Sequence, residues 1–318
     1  MIRGQKYQVI APGTGSLFPH DVGEPGPNQL LIRVLSNGVC ASDLPLWARE
    51  QARYPIDIGH EPVGRVEAAG SGSRVPVGTI VGGRITSSFA DYALADVEDA
   101  VVLPSNVDPF TALPEPVGCV VEGYRRTPIP VGASVAVVGL GFMGLVMLQL
   151  LRSSPVSRIY AIDLRQDALD VALRNGADVV SVPADVPARL CFDELSDPSN
   201  GVDVVIEASG SQAGLDLAGS LVRPHGLLSL LGYHQGSRQV PMQTWNWKAL
   251  DVVNAHVRES RLLRDATAAG LELQNAGRLD IASLVTHRFD RTTIDDAFQT
   301  LRDKPTGFIK SVVDFARA

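Results

Sequence analysis

Four residues with metal-ligand chemistry are spread over the first 115 positions. Cys40 opens Cys40-Ala41-Ser42-Asp43, His60 and Glu61 sit in Gly59-His60-Glu61-Pro62-Val63-Gly64, and Glu115 lies in Pro114-Glu115-Pro116. A thiolate, an imidazole and a carboxylate are soft and borderline donors. Three of them around zinc leave one position open for a reacting oxygen. Further on, Gly139-Leu140-Gly141-Phe142-Met143-Gly144 is followed by Asp163. Those are the residue types of a dinucleotide site. In this order the two groups describe metal-assisted hydride transfer.

Each residue also has a plainer reading. Cys40 alone fits a buried apolar position, and His60 alone fits a hydrogen-bonded structural histidine. Glu61 and Glu115 alone fit surface carboxylates. The two prolines flanking Glu115 place it outside any helix face. Cys119 and Cys191 read as structural or incidental, and His20, His225 and His287 as surface or core residues. His234 follows the strand ending Leu230-Leu231-Gly232-Tyr233, at the carboxyl edge where ligands bind in parallel sheets. His256 lies where the chain returns toward its first domain. Both are candidates for lining a cleft.

The glycine turn follows an apolar strand and opens a helix, the context its chemistry needs. Gly139 allows the tight turn, Gly141 lets the backbone approach a pyrophosphate, and Gly144 lets helix and strand pack closely. Leu140, Phe142 and Met143 belong to the same turn. The free N–H groups at the helix start are ready to hold phosphates. Asp163 ends the next strand, nineteen residues after Gly144. A carboxylate there accepts hydrogen bonds from ribose hydroxyls and repels a 2′-phosphate, which favours NAD over NADP. Arg165 argues the other way, because a guanidinium accommodates that phosphate.

Two kinds of element must position these groups. Residues 1–120 are rich in β-branched runs, Gly and Pro. Leu30–Leu35, Gly64–Ala69 and Gly78–Ile85 read as strands of an antiparallel, barrel-like domain. From about residue 130 the pattern changes. Val135–Val138, Ile159–Ile162, Val202–Glu207 and Leu227–Leu231 read as buried strands. Leu145–Arg152 and Gln166–Arg174 read as helices, the second closed by Asn175-Gly176. Strand and helix alternate and the strands are apolar throughout, so the sheet is parallel and covered on both faces. After Asp251, Arg261–Gln274 and Ile294–Arg302 read as helices and Phe308–Phe315 as a closing strand, expected to pack back on the first domain. The domains expected are 1–120 with 255–318, and 121–254.

Gly59-His60-Glu61-x2-Gly64-x5-Gly70-x2-Ser73 matches the zinc signature of the medium-chain alcohol dehydrogenases position for position. With Cys40-x-Ser42-Asp43 before it and the glycine turn after it, the chain resembles that superfamily over nearly its whole length. It is most similar to the polyol branch of sorbitol and threonine dehydrogenases, where the position of Glu115 is a glutamate in a Glu-Pro pair. The resemblance implies an α/β chain, with a GroES-like β-barrel catalytic domain and a Rossmann doubly wound parallel sheet. It implies one catalytic zinc held by Cys40, His60 and either or both of Glu61 and Glu115. Asp43 would orient the His60 ring, and Ser42 would carry the substrate's hydroxyl proton. The pocket candidates are Trp47, Phe89 in Phe89-Ala90-Asp91-Tyr92, and Arg258.

The sequence departs from the family in two places. Many relatives have a histidine five residues after the cysteine, completing a proton relay; here that position is Pro45. Relatives often carry a lobe with four cysteines for structural zinc. Here Gly78–Phe89 runs straight into Ala90-Asp91-Tyr92 without one, so a single zinc is expected.

Composition bounds the partners. The chain has 318 residues, 45% of them hydrophobic and 20% charged, and a net charge of −7. This suits an ordinary globular protein and argues against a nucleic-acid or anionic-membrane partner. Three cysteines form no disulfide framework, which fits a reducing cytoplasm. Val135–Leu151 is almost wholly apolar, but its glycines split it into strand and helix rather than a membrane span. The partner expected is a small polyhydroxylated molecule, and resemblance implies a homo-oligomer, dimer or tetramer. Two rivals stay open: a zinc-free quinone or enoyl-type reductase of the same superfamily, and a non-enzymatic NAD-binding sensor. The full ligand set opposes both.

Overall fold

The β-branched runs of the first hundred residues fold as paired strands. The structure, a computed structural model, describes residues 2–192, 197 and 199–316. The chain begins with β1 (Ile2–Ala11), β2 (Thr14–Val22), β3 (Gln29–Gly38), α1 (Leu44–Ala48) and β4 (Ile56–Asp57). It continues through β5 (Pro62–Ala69), β6 (Ile80–Gly83), β7 (Tyr92–Asp96), β8 (Ala100–Val102) and α2 (Pro114–Arg126). Strand and helix then alternate: β9 (Ser134–Val138), α3 (Phe142–Leu151), β10 (Arg158–Ile162), α4 (Gln166–Arg174), β11 (Val179–Ser181), β12 (Val202–Glu207) and α5 (Gln212–Leu221). The remainder is β13 (Val222–Leu230), α6 (Met242–Lys248), β14 (Asp251–Asn254), α7 (Ser260–Asn275), β15 (Val285–Asp290), α8 (Ile294–Asp303) and β16 (Lys310–Asp314). The chain divides into two compact units, Met1–Cys119 with Arg258–Ala318, and Val120–Val257.

In the first unit, β3 is the spine. It pairs antiparallel with β5, β7 and β16, so the last strand of the chain closes onto one of the first. The seven-stranded sheet runs β15-β16-β3-β5-β6-β8, with β7 on β3, and β2-β1-β4 form a second small sheet. Leu30, Ile32 and Val34 of β3 point into the core with Val66, Tyr7, Phe298 and Phe315. Burying each of these side chains is worth roughly 1.5–3 kcal/mol.

Trp47 and Phe89, expected as pocket walls, are core residues instead. Trp47 is 2% exposed and stacks on Phe298 at 5.6 Å, while Phe89 is fully buried and meets Phe298 edge-on at 5.7 Å. Trp47 Nε1 donates to Asp295 at 2.7 Å, and the Tyr7 hydroxyl donates to the same carboxylate. Burial, then Asp295, pushes the Tyr7 phenol above its ordinary range. An aromatic needs free area to meet a substrate, and the core takes all of it here.

The second unit is a six-stranded parallel sheet in the order β11-β10-β9-β12-β13-β14. This is the doubly wound dinucleotide-binding order, and the mixed α/β class expected from the sequence is the one observed. Three local expectations are corrected. The helix α3 starts at Phe142, not Leu145, because the last glycine of the turn is already helical. β13 begins at Val222 rather than Leu227; a register shift and a left-handed His225 interrupt it, so only its second half reads as a continuous apolar run. Glu115 does lie on a helix, in the first turn of α2. Prolines at the first helical positions lack only N–H groups that have no intrahelical acceptor, so Pro114 and Pro116 open the helix instead of excluding it.

The C-terminus of α5 is closed from outside. Lys248 is fully buried, and its Nζ donates to the carbonyls of Gly219 at 2.8 Å, Ser220 at 3.1 Å and Val222 at 2.7 Å. Burial lowers its pKa to about 8.

Candidate active site

The metal-ligand residues come from loops that follow β3 and precede β5. β3 ends at Gly38 and β5 starts at Pro62 beside it, so Cys40 and His60-Glu61 leave neighbouring strand ends. Asn37 ties the two together: it is fully buried, donates to Ser88 Oγ at 2.8 Å and accepts from Glu61 N at 3.3 Å. One donor atom each from Cys40, His60 and Glu61 lies within 4.8 Å of the others.

The cluster has the electrostatics of a cation site. His60 Nδ1 is 3.2 Å from Asp43 Oδ2, which also accepts from Gly59 N at 3.2 Å. Burial works against a charged His60 ring, but hydrogen bonds to Asp43 and Cys40 prevail and push its pKa up to about 12. A proton on this ring fills the place a metal cation would take. The donor set, one thiolate, one imidazole and one carboxylate, suits zinc. Ser42 Oγ donates to Cys40 Sγ at 3.2 Å.

Glu61 is fixed by a residue the sequence reading missed. Lys310 of β16 is buried, and its Nζ donates to Glu61 Oε1 at 3.0 Å and to the Val39 carbonyl at 3.0 Å. The same ammonium is 2.7 Å from Glu61 Oε2, but without hydrogen-bond geometry, so Oε2 is a buried oxygen with an open acceptor position. Burial alone would lower the Lys310 pKa, yet Glu61 and Cys40 hold it above the usual lysine value. Gly38 makes the room: a Cβ there would fall 2.0 Å from Glu61 Oε2.

Glu115 lies within the electrostatic reach of this cluster but outside the converging set. Its Oε1 accepts from Cys119 Sγ at 3.4 Å, one helical turn on. Burial and the Glu61 charge raise its pKa, against His60, Cys119 and Lys310. Burial, then Glu115, likewise raises the Cys119 thiol well above its ordinary value. Cys119, read as incidental, is therefore a neighbour of the candidate ligands. Arg258 is exposed. Pro45, at the relay position, lies at the start of α1.

The glycine turn belongs to the second unit. Gly139 has φ +97° and Gly141 has no atom within 4 Å of a would-be Cβ, so the face over Gly141 is open. A Cβ on Gly144 would lie 2.0 Å from the Gly139 carbonyl oxygen. Asp163 Oδ2 accepts from Leu140 N at 2.7 Å and Oδ1 from Arg165 N at 2.9 Å. The Arg165 guanidinium pairs with Asp163 at 3.7 Å and Asp167 at 3.8 Å. His234 Nε2 bonds buried Glu207 at 2.7 Å, and Arg238 donates to its Nδ1 at 3.1 Å, so both ring nitrogens are engaged. His256 bonds the Gly232 carbonyl at 3.0 Å.

Comparison with known proteins adds the following. The family model of the alcohol dehydrogenase GroES-like domain matches residues 26–105, and that of zinc-binding dehydrogenases matches residues 143–272. An L-threonine 3-dehydrogenase of Pyrococcus furiosus is 28% identical, the match covering 90% of this chain and 92% of the relative. A sorbitol dehydrogenase of Macaca fascicularis is 26% identical over 92% of this chain and 91% of the relative. Among solved structures, an alcohol dehydrogenase from Thermus sp. ATN1 superposes with a TM-score of 0.83 at 24% identity, covering 98% of this chain and 99% of that one.

Proposed function

The chain belongs to the zinc-dependent medium-chain dehydrogenase superfamily, on its polyol dehydrogenase-like side, and from that premise we propose that it oxidises a secondary alcohol of a polyol, sugar or cyclitol, or reduces the matching ketone. It is a dehydrogenase of CH–OH groups working with zinc and NAD(P). The observation that carries the reading is the convergence of Cys40, His60 and Glu61 within 4.8 Å.

Cys40, His60 and Glu61 would hold the zinc, and a zinc there would supply Lewis-acid polarisation of an alcohol oxygen, with NAD(P) as the hydride acceptor. Among the carboxylates, Glu61 ranks first, because it converges with Cys40 and His60 and Glu115 does not. Glu115 stands beside it as the alternate, its proton affinity raised by burial. Asp43 fixes the His60 ring through Nδ1, so Nε2 is the nitrogen left to coordinate. Ser42, within hydrogen-bond reach of Cys40, takes the alcohol proton. With Pro45 in the relay position, the proton relay ends at Ser42 or passes on through water or another group. Asp163 holds the glycine turn through Leu140 N, and its carboxylate would accept hydrogen bonds from ribose hydroxyls and repel a 2′-phosphate, which supports NAD over NADP. The reading includes a homo-oligomer, since β14 is a sheet edge with Val252 exposed.

Metal content and activity test this together. We expect one zinc per chain in the purified protein, lost in Cys40→Ala, and NAD reduction with at least one polyol that falls with the metal. Glu61→Gln should weaken zinc more than Glu115→Gln. Protein that binds NAD yet retains no zinc when purified without chelators would favour the zinc-free reductase.

A further inference from the structure

The first unit carries a surface cavity of about 170 Å³ whose lining includes Arg3, Arg33, Asp91, Tyr92, Arg291 and Phe315. Three guanidinium-bearing side chains face one carboxylate there. Asp91 is already committed: its Oδ1 takes Arg291 at 2.5 Å and its Oδ2 accepts from Gln5 N at 2.8 Å. Among the described residues, Arg3 pairs with Asp21 alone, at 3.4 Å and exposed to solvent. No ion pair among the described residues engages Arg33. The lining thus holds two positive charges in excess, in a chain whose net charge is −7.

The sheet places two of the lining residues together. Arg33 of β3 stands in register with Tyr92 of β7, and Arg33 is exposed. An anion held between the Arg3 and Arg33 guanidinium groups would offset their mutual repulsion.

We propose that this cavity is a binding site for a phosphate group, either inorganic phosphate or the head of a small phosphomonoester. Guanidinium groups offer paired N–H donors in a fixed fork that matches phosphate oxygens. Arg33 supplies the unpaired fork, Arg3 the second cation, and Arg291 is held in place by Asp91. The cavity volume exceeds that of one phosphate, so a short organic substituent fits as well.

The test is calorimetric titration of the full chain with inorganic phosphate and, separately, with glycerol 3-phosphate, at ionic strength held constant with chloride. Saturable binding is expected, weakened at least about tenfold in Arg33→Ala, with Arg33→Lys in between because it keeps charge but loses the fork. Tighter binding of glycerol 3-phosphate identifies a phosphomonoester; equal binding identifies free phosphate. Arg291→Ala also breaks the Asp91 pair, so the exposed Arg33 carries the decision. Absence of saturable binding, or equal affinity in wild type and Arg33→Ala, overturns the proposal. Phosphate bound at the glycine turn would be unaffected by Arg33 and is told apart in that way.

Discussion

Lys310 and Glu61 form a buried ion pair, Nζ to Oε2 at 2.7 Å, with side chains 7% and 0% exposed. The two residues are 249 positions apart, and the pair joins the closing strand β16 to the candidate metal ligands. Lys310→Met would leave Glu61 buried and uncompensated, a loss of about 3–5 kcal/mol. The double variant with Glu61→Gln should lose less than the sum of the two single changes. Zinc should shrink the Lys310→Met penalty, because a metal on Oε2 supplies the missing charge. Urea denaturation with and without zinc measures all three; strict additivity would show that the pair is not coupled.

Zinc affinity should rise with pH. In the metal-free protein the His60 pKa is about 12, against an ordinary value of 6.5. The folded chain therefore binds this proton more tightly than the unfolded chain. Its contribution to metal-free stability is full below pH 6.5 and is lost as pH climbs toward 12. Zinc must displace the proton, so between these limits each unit of pH should strengthen binding by up to about tenfold. Competition against a chromophoric chelator at pH 6.5, 7.5 and 8.5 reads this directly. An affinity flat across the range would mean that His60 is not displaced by the metal.

The short-range parts of this arrangement were legible in the sequence. His60 and Glu61 are adjacent, Cys40 opens its own short motif, and the glycine turn announces itself by lying between an apolar strand and a helix. What depends on distant pairing was not. Lys310 opens β16, Lys310-Ser311-Val312-Val313-Asp314, a strand buried along its whole length. A lysine in such a strand demands a carboxylate partner, and that signal was available, but nothing local says which carboxylate. The helical placement of Glu115 is hidden because its flanking prolines resemble helix breakers, although at a helix start they cost no hydrogen bond. Trp47 and Phe89 look alike in a pocket or in a core until Phe298, from the far end of the chain, is seen to pack on both.

Asp163 should control both cofactor affinity and cofactor choice. It accepts from Leu140 N at 2.7 Å, so it shapes the turn besides being the candidate partner of the ribose hydroxyls. Asp163→Asn keeps an acceptor for Leu140 but removes the charge that pairs with Arg165. NAD affinity should fall by about tenfold, while NADP should lose less or gain, as the Arg165 guanidinium is freed for a 2′-phosphate. Fluorescence titration with NADH and NADPH decides it; an unchanged NADH to NADPH ratio would remove Asp163 from cofactor selection.

Two glycines of one turn should fail in different ways. At Gly144 a Cβ would sit 2.0 Å from the Gly139 carbonyl oxygen, a backbone atom that cannot move aside without shifting β9 or α3. Gly144→Ala should therefore destabilise the folded protein by about 1–3 kcal/mol, cofactor or no cofactor. At Gly141 nothing lies within 4 Å and the backbone is not left-handed. Gly141→Ala should fold with nearly wild-type stability, because the added methyl group enters open space. If a pyrophosphate approaches that backbone, the same methyl group stands in its way, and dinucleotide affinity should fall by at least about tenfold. Thermal unfolding and NADH titration of both variants separate the two cases. A Gly141→Ala protein that binds NADH as wild type does would mean that the pyrophosphate lies elsewhere.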